Sequence, residues 1–189
     1  EPAVLNNIIH VSVNYDLSPE VTLDIIVQET YECLEWIIKN ISKYGGNPYN
    51  INLIGHSAGA HLVAMVLTKN YSLNSFIKSA VLISGVYQPQ ITKYLSIKEK
   101  IYIDDKIIKL TDVYKNTIVQ KTNILIVVGE DEPAEWKRLS IDFSEWLKKY
   151  KIPYKFYNAI HLNHFTLVKA LSNNKSLLSN KVINMTEMQ

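Results

Sequence analysis

Ile51-Asn-Leu-Ile-Gly-His-Ser-Ala-Gly-Ala-His61 sets a short apolar run directly against a serine flanked by small residues. Residues 52–55 read as a buried strand, and Ala58–Thr68 as a helix with Leu62, Val63, Val66 and Leu67 on its inner side. Ser57 stands where one becomes the other. Gly55-His56-Ser57-Ala58-Gly59 fits the G-x-S-x-G elbow, in which a strained strand-to-helix turn holds a nucleophilic serine proud of a sheet. Both glycines are expected to serve geometry, since a Cβ at either would collide across the turn.

A serine hydroxyl is a poor nucleophile until a base takes its proton and an acid orients that base. In the elbow-bearing fold the acid follows a late strand and the histidine follows the last one. The run Ile124–Val128, ILIVV, leads into Glu130-Asp131-Glu132, and the strand at 154–158 leads into His161-Leu-Asn-His164. Asp131 and Glu132 are both candidate acids. His164, at the start of the final helix, is preferred as base over His161 in the preceding loop. His56 and His61 flank the elbow, and His10 reads as a packed or edge-strand histidine. None has metal-ligand spacing such as H-E-x-x-H, so no metal site is expected.

Outward from these residues, strands alternate with helices. Residues 8–15, IIHVSVNY, are rich in β-branched side chains and read as a first strand ending before Asp16 and Pro19. From 21 to 44 apolar residues recur at helical spacing up to the stop at Gly45-Gly46. Residues 80–86 form another apolar strand, and 135–150 another amphipathic helix. The lysine-rich stretch 88–122 reads as an insertion over one end of the sheet, a candidate lid. The pattern implies one α/β domain over residues 1–189, with a mostly parallel sheet and helices on both faces.

Composition agrees with an ordinary globular chain: 189 residues, 47% hydrophobic and 20% charged, with a net charge of +2 spread without a basic stripe. Nucleic acid is therefore not an expected partner. The single cysteine, Cys33, has no internal partner, which points to a reducing, cytoplasmic setting. No run approaches the ~20 apolar residues of a membrane span.

The segments VSVNYDLSPEVTLD, GHSAGAHL, GEDEPAEWKRLSIDFSEWL and NHFTLVKAL together resemble the kynurenine formamidase (arylformamidase) branch of the α/β-hydrolases, near the hormone-sensitive-lipase-like esterases. The resemblance implies that Ser57 is the nucleophile and His164 the base. Its register puts the acid at Glu132, where relatives are expected to carry aspartate, so Asp131 stays open as the alternative. It implies hydrolysis of N-formyl-L-kynurenine, a small-molecule substrate, without a cofactor, and is compatible with a homodimer. Two rivals stand beside it: a carboxylesterase for other small acyl groups, and a catalytically silent binding protein on a hydrolase scaffold. The family's H-G-G-[YF]-W segment, whose backbone helps form the oxyanion hole, has no match before Ile8, leaving the Ala58 N–H as the donor. The expectation is thus an N-terminally truncated α/β-hydrolase fold, the C-terminal two-thirds of a longer protein and by itself a weak or inactive catalyst.

Overall fold

The structure, a computed structural model, describes residues 2–69, 73–94, 98–116 and 122–187. Four strands form its sheet: β1 (Ile51–His56), β2 (Ile77–Ile83), β3 (Asn123–Gly129) and β4 (Tyr154–Ala159). They lie in chain order and every pair is parallel, with Ile54 opposite Val81, Val81 opposite Leu125, and Leu125 opposite Lys155. Parallel pairing places all four C-terminal ends on one edge. That edge carries the site.

Among the described residues seven α-helices surround the sheet: α1 (Pro2–Leu5), α2 (Leu23–Asn40), α3 (Ala58–Lys69), α4 (Asp105–Thr111), α5 (Ala134–Lys149), α6 (His164–Ser172) and α7 (Leu177–Glu187). Side chains alternate across a strand, so the central strands β2 and β3 each serve two cores. Ala80, Leu82, Ile124 and Ile126 pack with Val27 and Leu34 of α2, Ala64 and Leu67 of α3, and Phe143 and Leu147 of α5. Val81, Ile83, Leu125 and Val127 pack on the other side with Leu167 of α6 and Leu178, Val182 and Met185 of α7. Two covered faces explain why β2 and β3 read as unbroken apolar runs rather than alternating ones. Residues 60–68 of α3 are all buried, because the helix is covered by the sheet on one side and α2 on the other.

One expected strand is not formed. Residues 8–15 have no ladder partner among the described strands, and Ile9, Val11 and Val13 stay 45%, 43% and 37% exposed. Isoleucine and valine favour a pleated surface only where a neighbouring strand takes up the backbone hydrogen bonds and side chains. The sheet ends instead at β1, whose Ile54 is 46% exposed.

The stretch 88–122 is partly helical. Short 3₁₀ turns at Pro89–Tyr94, Lys98–Lys100 and Val113–Lys115 accompany α4, which is capped by the Asp104 carboxylate accepting from Ile107 N at 2.7 Å. Ile107 and Ile108 are buried, α4 lies against α2, and Val113 donates its N–H to the Tyr87 carbonyl at 3.2 Å. This part of the segment is anchored to the main core. Residues 95–97 and 117–121, also within the expected lid, lie outside the described residues.

Candidate active site

Ser57 occupies the bend between β1 and α3 with φ +56°, a left-handed conformation that a non-glycine residue adopts only under constraint. Its N–H donates to the Ile83 carbonyl at 2.8 Å, which ties the bend to the end of β2. Its carbonyl accepts from Ala60 N at 3.1 Å and His61 N at 3.3 Å, closing the first turn of α3. The two glycines differ from the sequence expectation. A Cβ on Gly55 would run into the backbone of Gly59 and Ala60, so that glycine is required by close approach; a Cβ on Gly59 would meet nothing within 4 Å. Only the first glycine is sterically forced, because the second lies on the open side of the turn.

Glu132 is 3% exposed, and both its oxygens are occupied. Oε1 lies 2.7 Å from His164 Nδ1. Oε2 accepts from Ser84 Oγ at 2.7 Å and from Gly129 N at 2.8 Å. A carboxylate so surrounded accepts from His164, which puts the ring proton on Nδ1 and leaves Nε2 as an acceptor. Asp131, the alternative acid, is exposed, and its N–H donates to the Leu162 carbonyl at 3.0 Å. Of the two carboxylates, Glu132 is the one in contact with His164.

A backbone strap between two loops produces this contact. Glu130 N donates to the Ala159 carbonyl at 2.9 Å, and His161 N donates to the Glu130 carboxylate at 3.1 Å. Together with the Asp131 to Leu162 bond, these join the loop after β3 to the loop after β4. Gly129 sits so close to the Leu162 carbonyl that any side chain would displace it. Asn163 then starts α6 through a capping box with Thr166, so His164 enters as the first helical residue. His161, the alternative base, has φ +57° and an exposed side chain 3.7 Å from the Glu130 carboxylate. Glu130, Asp131 and His161 bring ligand atoms within 4.8 Å of one another on the surface, a group that excludes both members of the Glu132–His164 pair.

The His164 ring packs between two aromatic neighbours. Its centroid lies 4.4 Å from that of His56 and 4.6 Å from that of Trp136. Since His56 immediately precedes Ser57, this tilted ring contact brings the start of α6 to the elbow. Burial lowers the affinity of His56 for a proton, and the adjacent His164 lowers it further. His61, on α3, is buried with Nδ1 2.8 Å from the Val86 carbonyl, and burial pulls its pKa down to about 4. It is therefore an uncharged packing residue at neutral pH.

Two participants have no sequence signal of their own. Ser84, φ +49°, follows β2 with its N–H on the Val127 carbonyl at 2.8 Å and its hydroxyl on Glu132. Gly129 supplies the second donor to the same oxygen. The nearest clue is positional: both stand at the C-terminal ends of strands, where sites gather in parallel sheets.

Comparison with known proteins follows the same lines. A family model described as the alpha/beta hydrolase fold matches residues 2–136. The kynurenine formamidase of Danio rerio is 26% identical over an alignment covering 97% of this chain and 64% of that protein. The kynurenine formamidase of Salmo salar is 27% identical, covering 90% and 60%. A solved structure of a hyperthermophilic esterase from the archaeon Pyrobaculum calidifontis superposes with a TM-score of 0.81 at 18% identity, over 99% of this chain and 67% of that one. The chain thus spans less than two-thirds of the length of the two fish proteins.

Proposed function

The chain belongs to the alpha/beta hydrolase fold family, and from that premise we propose that it is a serine hydrolase with Ser57 as nucleophile, His164 as general base and Glu132 as the orienting acid. The observation that carries this reading is the 2.7 Å hydrogen bond between the buried Glu132 and His164, set against the elbow by the His56 ring. In the reaction, Ser57 Oγ adds to the acyl carbon as its proton passes to His164 Nε2. Glu132 holds the ring in the productive tautomer and stabilises the imidazolium. The developing oxyanion meets the Ala58 N–H, which opens α3 and has no intrahelical acceptor. Collapse of the tetrahedral intermediate sends the His164 proton to the leaving group and leaves an acyl-Ser57 ester. Water, activated by the same imidazole, adds to that ester and releases the acid and free Ser57.

The substrate assigned is N-formyl-L-kynurenine, cleaved to kynurenine and formate in tryptophan breakdown. The support is the pair of fish proteins named kynurenine formamidase, whose similarity spans nearly all of the chain. The leaving group is then an aniline nitrogen, protonated by His164 as the C–N bond breaks. Nothing in the scheme calls for a cofactor. The segment 88–122 is read as a cap over the substrate, since it leaves the sheet just past Ser84, at the edge that carries the site. No helix among the described residues is long and apolar enough to cross a membrane, and a cytoplasmic setting rests on the lone cysteine. A second reading, a carboxylesterase for other small acyl groups, is favoured by the likeness to the Pyrobaculum esterase.

The test is kcat/KM of the full-length protein on a formyl anilide against nitrophenyl acetate and butyrate, alongside Ser57→Ala. Preference for the anilide with loss in Ser57→Ala is the expected result. Preference for the esters selects the second reading. Turnover that survives Ser57→Ala overturns both.

A further inference from the structure

We propose that Ser84 is a positioning residue of this site, its hydroxyl fixing the Glu132 carboxylate in the orientation that presents Oε1 to His164; the proposal rests on the serine-hydrolase reading. Glutamate has three side-chain torsions, so the carboxylate at 132 needs fixing beyond what its backbone supplies. The two oxygens divide the task. Oε1 faces His164, whereas Oε2 takes the Ser84 hydroxyl at 2.7 Å and the Gly129 N–H at 2.8 Å.

Ser84 is itself held. It is fully buried, its N–H is spent on the Val127 carbonyl, and φ +49° turns the residue out of the β2 ladder, where its hydroxyl reaches Glu132. Such a backbone conformation is costly for serine and free for glycine. A residue needed only for the turn would be better as glycine; the hydroxyl gives the serine a purpose. With the Glu132 side chain fully enclosed, water is poorly placed to replace a lost donor. Among the described residues Gly129 N would then be the sole donor left on Oε2, and one hydrogen bond does not fix a three-torsion side chain.

Ser84→Gly removes the hydroxyl while suiting the backbone, which separates positioning from folding. The expected result is a kcat lower by about 10- to 100-fold on nitrophenyl acetate, the scale of one hydrogen bond to a charged group. KM and thermal midpoint stay near those of the parent, and Ser84→Cys, a weaker donor, falls between. Proton NMR provides a readout independent of turnover: the far-downfield resonance of the His164 Nδ1 proton shifts or is lost in Ser84→Gly. An unchanged resonance in Ser84→Gly, or a kcat equal to the parent's, overturns the proposal. A parent without Ser57-dependent turnover overturns the hydrolase reading instead, and the resonance still decides what Ser84 does.

Discussion

The ring centroid of His164 lies 4.4 Å from that of His56, the residue that carries the chain into Ser57. One ring comes from the end of β1 and the other from the first residue of α6, which follows β4, at opposite edges of the sheet. Only the shared C-terminal edge of a parallel sheet brings them together. The hydrolase reading thus rests on topology as much as on the three side chains.

Because the turn is asymmetric, the two glycines of the elbow should respond differently. Gly55→Ala places a methyl on the Gly59 backbone and is expected to lower stability by roughly 1–3 kcal/mol, with loss of activity. Gly59→Ala enters open space in a helix at an ordinary φ and is expected to leave stability unchanged or raise it by up to ~1 kcal/mol. Urea denaturation of the two variants measures the contrast, and equal destabilisation would contradict it.

Removing charge from the two neighbouring carboxylates should separate them sharply. In Glu132→Gln a single amide oxygen faces three donors, from His164, Ser84 and Gly129, so at least one pair becomes donor against donor. The rate is expected to drop by roughly 10³–10⁴, the scale known for neutralising the acid of a triad. Asp131→Asn changes an exposed side chain and should stay within about twofold of the parent. Steady-state kinetics on the same ester decide it.

The strap between the β3 and β4 loops makes a third case. Gly129→Ala forces apart Gly129 and the Leu162 carbonyl, and with them the loops that carry Glu132 and His164. Activity should fall by more than the accompanying loss of stability, roughly 1–3 kcal/mol, would explain at a temperature where the variant is folded. Full activity in Gly129→Ala would show that the close approach is not needed.

Acid stability should carry the signature of His61. Its pKa falls from the ordinary 6.5 to about 4 on burial, so between those values the unfolded chain binds the proton and the folded chain does not. The stability concerned is fully present above pH 6.5 and is lost as pH falls toward 4, by about 3 kcal/mol in all. His61→Gln, which keeps a donor for the Val86 carbonyl, is expected to flatten the slope of unfolding free energy across that window. An unaltered slope would assign the acid lability elsewhere.

The elements that the sequence announces are those whose burial leaves a regular apolar pattern. β2 and β3 lie between two helical layers, so their apolar runs are unbroken, and α2 and α5 repeat at helical spacing. Residues 8–15 mislead for the complementary reason: β-branched composition describes a segment suited to a sheet, and no described neighbour pairs with it. The expected strand at 80–86 stops at Ile83 because Ser84 turns out of the ladder. Within the site, Ser57 and His164 are legible from motif and chain order. The residues by themselves leave Asp131 and Glu132 open and the resemblance favours Glu132; adjacent side chains point apart, and it is Glu132 that turns inward to His164 while Asp131 stays exposed. Ser84 stays hidden because its partner lies 48 residues away.

The most direct measurement of the central claim is mass-spectrometric mapping of the full-length protein after reaction with a fluorophosphonate probe. The account expects one modified site, Ser57, with labelling slowed by orders of magnitude in His164→Ala. An unmodified Ser57, or a labelling rate indifferent to His164, would contradict it.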